Sequence, residues 1–154
     1  MLKINKYEMI NEDKIECFCL YNTKPVKAIV RKARQDGRCR EVRNRYGFKS
    51  VAVTDDGYLI ICPNYPEVYA ERVDKERYII VDPKRLIVSR NFVREVTRRP
   101  NTQQRREIIE KRETGEYVNL AGEGKTNYYI FTTTGRIYGV RFFKNIENET
   151  EGSD

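Results

Sequence analysis

Two clusters of basic residues are the parts of this sequence whose residue types could do chemistry. Between Arg31 and Lys49 there are eight Lys or Arg against two acidic residues, and between Lys84 and Arg112 there are ten against three. Arginine dominates, and its planar guanidinium can donate two hydrogen bonds at once to a phosphate. The clusters therefore predict polyanion binding driven by counterion release, and the alternative is a solvated, salt-bridged surface. The candidate contact residues are Arg38, Arg40, Arg43, Arg45, Tyr46, Lys49, Arg94, Arg98, Arg99 and Lys125.

The sequence offers little support for catalysis, and we expect a protein that is not an enzyme. It contains no histidine, so the usual general base is absent. The segment Gly122–Thr126 resembles the end of a phosphate-binding P-loop, but a strand pattern follows it, which favours an ordinary loop. We predict no metal and no cofactor, because the cysteine spacing does not match that of a usual zinc site. We expect the cysteines to be buried reduced thiols instead. These are Cys17, Cys19, Cys39 and Cys62.

Composition limits the size and setting of the fold. The 154 residues carry a net charge of +7 and make one ordinary domain or two very small ones. No apolar run is long enough for a membrane span or a signal peptide, so we expect a cytoplasmic protein without a membrane partner. Residues 145–154 contain acidic but no basic side chains, and we predict that they form a disordered tail.

The segment from Asn22 to Cys62 is predicted to recur from Asn101 to Val140, with chance similarity as the alternative. In both, a polar cap leads into a helix, a glycine ends it, and an apolar hairpin closes the unit. At the helix start the matched residue numbers differ by 79, and later they differ by 78, which predicts the loss of one residue near the helix end. The matched positions are Asn22-Thr23 with Asn101-Thr102, Ile29-Val30 with Ile108-Ile109, Gly37 with Gly115, Thr54 with Thr132, and Gly57 with Gly135.

Hydrophobic patterns predict an α+β fold made of two tandem β-β-α-β-β units dominated by antiparallel sheet. The first unit spans residues 1–76 and the second, more divergent unit residues 77–144. Leu2 to Ile10 is predicted as the first strand of the first unit. Thr23 is the expected N-cap of the first helix, and the second helix is predicted from Gln103 to Thr114. Asp55-Asp56-Gly57 between two apolar runs predicts the turn of a hairpin.

The first half resembles the RemA family, small bacterial regulators of biofilm-matrix genes, over about residues 3–73. The resemblance rests on Pro25-Val26-Lys27 at the helix start, Ala33-Arg34 before Gly37, the acidic Glu41 and a basic loop. It continues through the hairpin Val51–Ile61 to Pro66-Glu67 and Arg72. Upstream, Ile4-Asn5 and Asp13-Lys14-Ile15 also match. The second unit and the acidic tail have no counterpart in this single-unit family.

The resemblance implies a DNA-binding transcriptional regulator that works as a multi-subunit assembly. By residue, the implied DNA-contacting loop is Arg43, Arg45, Tyr46, Gly47 and Lys49. The family's dense run of arginines after a Tyr-Gly is represented here only by Arg43, Arg45 and Lys49, with Phe48 intervening.

Three functions remain open from the sequence. The first is a non-enzymatic DNA-binding protein, a transcriptional regulator or nucleoid-associated protein, with double-stranded DNA as its partner. The second is RNA binding, with bases stacked on Tyr46, Phe48, Tyr128 and Tyr129. The third is a viral or mobile-element protein that binds a small nucleotide or inhibits a defence complex. Because units with few strands leave sheet edges open, we also expect a homo-oligomer, a dimer or larger.

Overall fold

A computed structural model describes residues 1–122 and 125–143, and the predicted acidic tail lies outside them. The described residues form three sheets. The strands are β1 (Leu2–Asn5), β2 (Glu8–Ile10), β3 (Ile15–Leu20), β4 (Cys39–Glu41), β5 (Ser50–Thr54), β6 (Leu59–Cys62), β7 (Tyr78–Asp82), β8 (Leu86–Ser89), β9 (Val93–Thr97), β10 (Tyr117–Asn119), β11 (Tyr128–Thr132) and β12 (Ile137–Val140).

The helices are α1 (Lys24–Gln35), α2 (Pro66–Ala70) and α3 (Thr102–Thr114), with short 3-10 helices at Glu12–Lys14 and Arg90–Phe92. As predicted, Thr23 caps α1, and its hydroxyl accepts the backbone N–H of Val26. Asn101 caps α3 through a reciprocal pair of hydrogen bonds with Gln104, each 2.8 Å long. None of the helices in the described part of the chain is long and apolar enough to cross a membrane.

A six-stranded sheet has the order β4-β6-β5-β3-β8-β7, a four-stranded sheet has the order β10-β12-β11-β9, and β1 pairs with β2 alone. Only β4·β6 and β10·β12 are parallel among the described pairs. The predicted α+β class with mostly antiparallel sheet is confirmed. The β-β-α-β-β order is not confirmed, because each half has three strands before its long helix and three after it. The strand predicted over residues 2–10 is a hairpin, and part of the basic segment adds β4.

Three strand pairs of the first half, β3·β5, β4·β6 and β5·β6, recur in the second half as β9·β11, β10·β12 and β11·β12 at a constant shift of 78 in residue number. For example, Val53 opposite Leu59 in β5·β6 becomes Phe131 opposite Ile137 in β11·β12. The predicted shift of 79 at the helix start is wrong. The caps Thr23 and Asn101 are separated by the same shift as the strand pairs.

The mismatch arose from two β-branched doublets. Val30 is buried in α1 and Ile108 is buried in α3, again at the shift of the strand pairs, whereas Ile29 is half-buried and Ile109 is exposed. The doublets look alike in sequence, but their inward-facing members differ in position. No residue is lost between the helices.

The sheets form a layered core that crosses the predicted boundary at residue 76. The β1–β2 hairpin and α2 cover one face of the six-stranded sheet, around Phe18 and Ile60. The other face packs against α1 and the four-stranded sheet, where Cys17 and Val88 lie in one cluster with Ile130. Because β8 of the second half pairs with β3 of the first, the two halves share both a sheet and a core.

A buried carboxylate lies at the junction between the halves. Glu16 is 0% exposed and accepts hydrogen bonds from the hydroxyls of Tyr138, at 2.5 Å, and Thr134. A guanidinium nitrogen of Arg136 lies 4.0 Å away. Burial raises the pKa of Glu16, partly offset by these hydrogen bonds and by Arg136. Glu16, on β3 of the first half, is thus held by Thr134, in the turn between β11 and β12, and by Tyr138, on β12.

Candidate nucleic-acid interface

The loop of residues 42–49, which we call the basic loop, connects β4 to β5. Its first residue, Val42, is buried and donates its backbone N–H to Ile61 O at 2.9 Å. The side chain of Asn44 then donates to Val42 O at 3.1 Å and accepts the N–H of Tyr46 at 2.7 Å. Such turns built on an asparagine side chain fix the local backbone course. At Gly47 the φ angle is +84°, a conformation that favours glycine.

The hairpin turn between β1 and β2 supports the basic loop from one side. Asn5 donates its side-chain amide to Arg43 O at 2.7 Å, and its oxygen accepts the N–H of Tyr7 at 2.9 Å. The Arg43 guanidinium lies 4.7 Å from the centre of the Tyr7 ring, and the Lys6 ammonium lies 5.1 Å from it. Two cations therefore share one partly exposed aromatic ring, an arrangement that holds them close together.

A groove of about 460 Å³ opens between the hairpin turn, the basic loop and the segment after β6. None of the described residues that line it is acidic. Arg72 is oriented by hydrogen bonds to Ile4 O at 3.0 Å and Lys3 O at 3.2 Å. The charged and aromatic lining residues are Lys3, Lys6, Arg45, Arg72, Tyr7 and Tyr46.

These cations have no acidic ion-pair partner among the described residues. Within the described residues, no carboxylate forms an ion pair with Lys3, Lys6, Arg43, Arg45 or Arg72. Uncompensated positive charge in a concave site concentrates the local field and attracts anions. The groove can therefore hold phosphate groups, and its tyrosines can contact a base or a sugar.

Four of the sequence candidates lie at or beside this groove. Arg43, Arg45 and Tyr46 belong to the basic loop, and Tyr46 is 86% exposed. Lys49, at the loop's end, is half-buried with its ammonium 5.5 Å from the Tyr65 ring. Arg40 lies beside the hairpin but forms an ion pair with Glu8.

The remaining first-half candidate lies elsewhere. Arg38 pairs with Asp36 at 3.2 Å and lines a separate cavity of about 470 Å³ between the halves. That cavity also contains Asp55, Asp56 and Glu116, so its charge is mixed.

The four second-half candidates do not line the groove. Arg94 forms ion pairs with Glu95, at 3.2 Å, and Glu107, at 2.7 Å. The guanidinium of Arg98 lies 5.3 Å from the Tyr128 ring. Arg99 and Lys125 are exposed. The structure thus groups the first-half loop candidates and leaves the second-half ones scattered.

Sequence reasoning missed Lys3, Lys6, Tyr7 and Arg72 as groove residues. Because residues 2–10 were predicted as one strand, the turn at Lys6-Tyr7 was not recognised. A signal was present, since Asn5 is a typical turn former and Lys6-Tyr7 interrupts the apolar alternation. Arg72 carries no local signal, because its place depends on long-range contacts with β1.

The predicted base-stacking aromatics are mostly unable to stack on a base. Tyr128 is buried, whereas Phe48 and Tyr129 are half-buried in the core clusters. Strand positions bury these rings, which is the usual fate of aromatics in a sheet. Only Tyr46 of the four is exposed, and the structure adds Tyr7, which is 42% exposed.

Comparison with known proteins adds no family assignment. A scan against protein-family models gives no match, and a search of curated proteins gives no significant match. The RemA resemblance therefore stays a prediction. In the part of the chain that the structure describes, no three His, Cys, Asp or Glu side chains are grouped so that they could hold a metal ion.

Proposed function

We propose that this chain is a non-enzymatic DNA-binding protein, a transcriptional regulator or nucleoid-associated protein that acts in the cytoplasm. The observation that supports this function best is the groove beside the basic loop, whose cations form no ion pair and whose lining contains no acid within residues 1–122 and 125–143. The RemA-like relationship predicted from residues 3–73 points to the same loop, and it remains part of the proposal.

Phosphate binding is the step that the groove geometry favours. Arg43 and Arg45 follow a backbone that is fixed by Asn44 and by the amide of Asn5. Little loop ordering is then needed on binding, so less affinity is lost to entropy. A DNA backbone that runs along the groove would meet Lys3, Lys6 and Arg72 as well as the loop arginines. Such contacts position a duplex without reading its sequence.

The test is a titration of labelled duplex DNA against the chain with Arg43, Arg45 and Lys49 all replaced by Ala. We expect at least a tenfold loss of affinity. The slope of log K against log salt should become shallower by up to about three, because each lost phosphate contact removes about one released counterion. Thermal stability should change little, since Arg43 and Arg45 are exposed and exposed charges contribute little to folding, while Lys49 is only half-buried.

A matched control separates the site from overall charge. Arg31, Arg105 and Arg106 are exposed and lie outside the groove, so their triple replacement by Ala removes the same charge. Affinity in this control should fall less than threefold. Equal losses in both triple variants, or no loss in the loop variant, would contradict binding at the basic loop.

Single-stranded RNA is a second candidate, favoured by the exposed rings of Tyr46 and Tyr7 at the groove. Stacking of a base on an aromatic side chain contributes about 1–3 kcal/mol. Tyr46→Ala should weaken RNA binding about tenfold or more if bases stack there, and should leave duplex DNA nearly unaffected. Tighter binding to RNA than to duplex DNA, together with that loss, would replace the DNA proposal. Strong competition by a single nucleotide would instead favour the small-nucleotide alternative.

A further inference from the structure

The edge of β3 in the first half is filled by a strand of the second half. Phe18 lies opposite Ile87 and Cys19 lies opposite Leu86 in the antiparallel pair β3·β8. The N–H of Leu20, the last residue of β3, donates to the carbonyl oxygen of Arg85, just before β8, at 2.9 Å. The β7–β8 hairpin therefore extends the sheet of the first half from four strands to six.

The equivalent edge of β9 in the second half carries no strand among the described residues. β9 repeats β3 at the shift found for the other strand pairs, down to the irregular pairing before Glu95, the counterpart of Cys17. Its partner is β11 on one side only. The N–H of Arg98, the counterpart of Leu20, has no backbone acceptor within the described chain. Unpaired edges of this kind are a ready template for another strand.

The β1–β2 hairpin is the counterpart of the β7–β8 hairpin. Each hairpin is followed by a 3-10 helix, and the two helices are separated by the same shift. Each turn reaches the loop after its own half's fourth strand: Asn5 donates to Arg43 O, and Arg85 donates to Leu120 O at 3.0 Å. Both hairpins thus cover the same face of their own half's sheet.

The two hairpins differ in what lies on their outer edge. β8 is paired on both sides, by β7 and by β3, whereas β1 is the one strand that pairs with β2 among the strands the structure describes. The difference extends to the side chains, because Ile87 is fully buried and its counterpart Met9 is 54% exposed. The β2 edge therefore exposes both the apolar side chain of Met9 and backbone groups that can pair with another strand.

We propose that β2 of a second copy of this chain pairs with β9, just as β8 pairs with β3 inside one chain. The shift between the halves sets the register: Met9 of one copy lies opposite Val96 of the other, and Glu8 lies opposite Thr97. The four-stranded sheet then gains β2 and β1 and takes the six-stranded order of the first half. The contact is head to tail, so repetition gives a closed ring or an open filament.

The partner is a second copy of this chain because one chain carries both the donor strand, β2, and the acceptor strand, β9. Their counterparts, β8 and β3, already pair with each other within the chain. A copy that donates β2 at one end offers β9 at the other, so each β2 and each β9 edge is paired in a ring. This inference does not depend on the proposed DNA function.

Disulfide trapping tests the register directly. In the internal pair, the bond from Leu20 N to Arg85 O makes Cys19 and Leu86 a non-hydrogen-bonded pair. Such pairs have Cα atoms about 4.5 Å apart, within disulfide range. We therefore expect the double variant Glu8→Cys and Thr97→Cys to form intermolecular disulfides under mild oxidation, seen as a ladder or ring of linked chains without reducing agent.

The controls are the two single variants and a register mismatch, Glu8→Cys with Glu95→Cys. These should give at least tenfold less cross-linked product, because the mismatched pair lies diagonally across the strands. Native Cys17, Cys19 and Cys62 are buried, and Cys39 is half-buried, so the single variants also reveal any background from them. Equal cross-linking in the matched and mismatched variants would contradict the register.

Solution mass gives an independent test. Sedimentation of the full chain should show a multiple of 18.3 kDa at micromolar concentration. Met9→Asp places a charge in the proposed contact and should shift the mass to that of one chain. Ile109→Asp, at a similarly exposed position on α3, should not.

Val96→Pro tests the acceptor edge, since the N–H of its counterpart Phe18 faces β8 rather than β5. It should also give single chains, and circular dichroism checks that each variant is folded. A wild-type mass of one chain, together with no matched cross-link, would overturn the proposal.

Discussion

The basic loop of the first half and the segment of residues 120–127 in the second half are flanked by equivalent strands, β4 and β5 in the first and β10 and β11 in the second. Both follow an edge strand that runs parallel to its neighbour, and both begin with a buried apolar residue, Val42 or Leu120. The first loop carries Arg43, Arg45 and Lys49 without an acid, whereas the second carries one lysine and one glutamate. The flanking strands are repeated, but the cluster of positive charge between them is not.

A second comparison concerns the irregular position in the first strand pair of each sheet. Glu16 stands there in β3 and is buried at the junction, and Arg94 stands at the equivalent place in β9 and is exposed. Equivalent backbone positions thus face the core in one half and solvent in the other. Contacts from the second half bury Glu16, whereas Arg94 is exposed among the described residues, and this creates the difference.

Replacement of Glu16 by Ala tests that comparison with the largest expected effect. It leaves the Tyr138 hydroxyl and the Arg136 guanidinium without their buried partner, so we expect the free energy of unfolding to fall by about 3–5 kcal/mol. Urea denaturation measures the loss. Arg94→Ala is the matched control and should cost less than about 1 kcal/mol, because its ion pairs are exposed. Similar losses at the two positions would mean that Glu16 does not hold the junction.

The two long helices provide the next test. Only Ile108 is buried in α3, whereas α1 buries Val26, Val30 and Ala33. Ile108→Ala should therefore lower the free energy of unfolding by about 2–4 kcal/mol, through lost burial and the cavity left behind. Ile109→Ala, at the exposed neighbour, should cost less than about 0.5 kcal/mol. The reverse order in thermal denaturation would restore the helix alignment that the sequence predicted.

The raised pKa of Glu16 predicts a smaller, pH-dependent effect. The folded protein binds the Glu16 proton more tightly than the unfolded chain does. The stabilisation that follows from this tighter binding is fully present below the ordinary glutamate pKa of 4.5. It is lost as pH rises through the higher folded-state pKa. Relative to Glu16→Gln, the wild-type free energy of unfolding should thus decline across that window. The slope is about 1 kcal/mol per pH unit.

Urea denaturation from pH 4 to 8 measures the difference between wild type and Glu16→Gln. The other carboxyl groups, including Asp56 with its lowered pKa, are common to both proteins and cancel. A constant difference across the range would show that Glu16 titrates alike in the folded and unfolded states.

The helix caps should give the smallest effect and the closest match between the halves. Thr23→Ala and Asn101→Ala each remove one cap, which costs about 1 kcal/mol. Asn101→Ala removes only the bond that Asn101 Oδ1 accepts from the Gln104 N–H, because the other bond of the pair is donated by the Asn101 backbone N–H and remains. We therefore expect similar losses at the two caps in thermal denaturation, and losses that differ by more than about 1 kcal/mol would contradict the match.

Local sequence determined the features that depend on near neighbours. Thr23 and Asn101 as caps, Gly37 and Gly115 at positive φ after the helices, and the Asp-Gly hairpin turn at Gly57 all follow from local hydrogen bonds and sterics. The same holds for the α+β class and the repeated hairpins, because alternating apolar residues favour strands whatever their partner. The basic loop was also predicted from sequence, since its charge density is a local property.

The tertiary structure decided everything that depends on a distant partner. Pairing of β8 with β3 joins the two halves, and the local sequence of neither strand predicts which strand it pairs with. The burial of Glu16 depends on Tyr138 and Thr134, which lie in the opposite half of the chain. The groove needs β1, the basic loop and Arg72 to meet. Strand propensity and charge can be predicted from local sequence, but which strand edges and sheet faces meet depends on the packing of the whole fold.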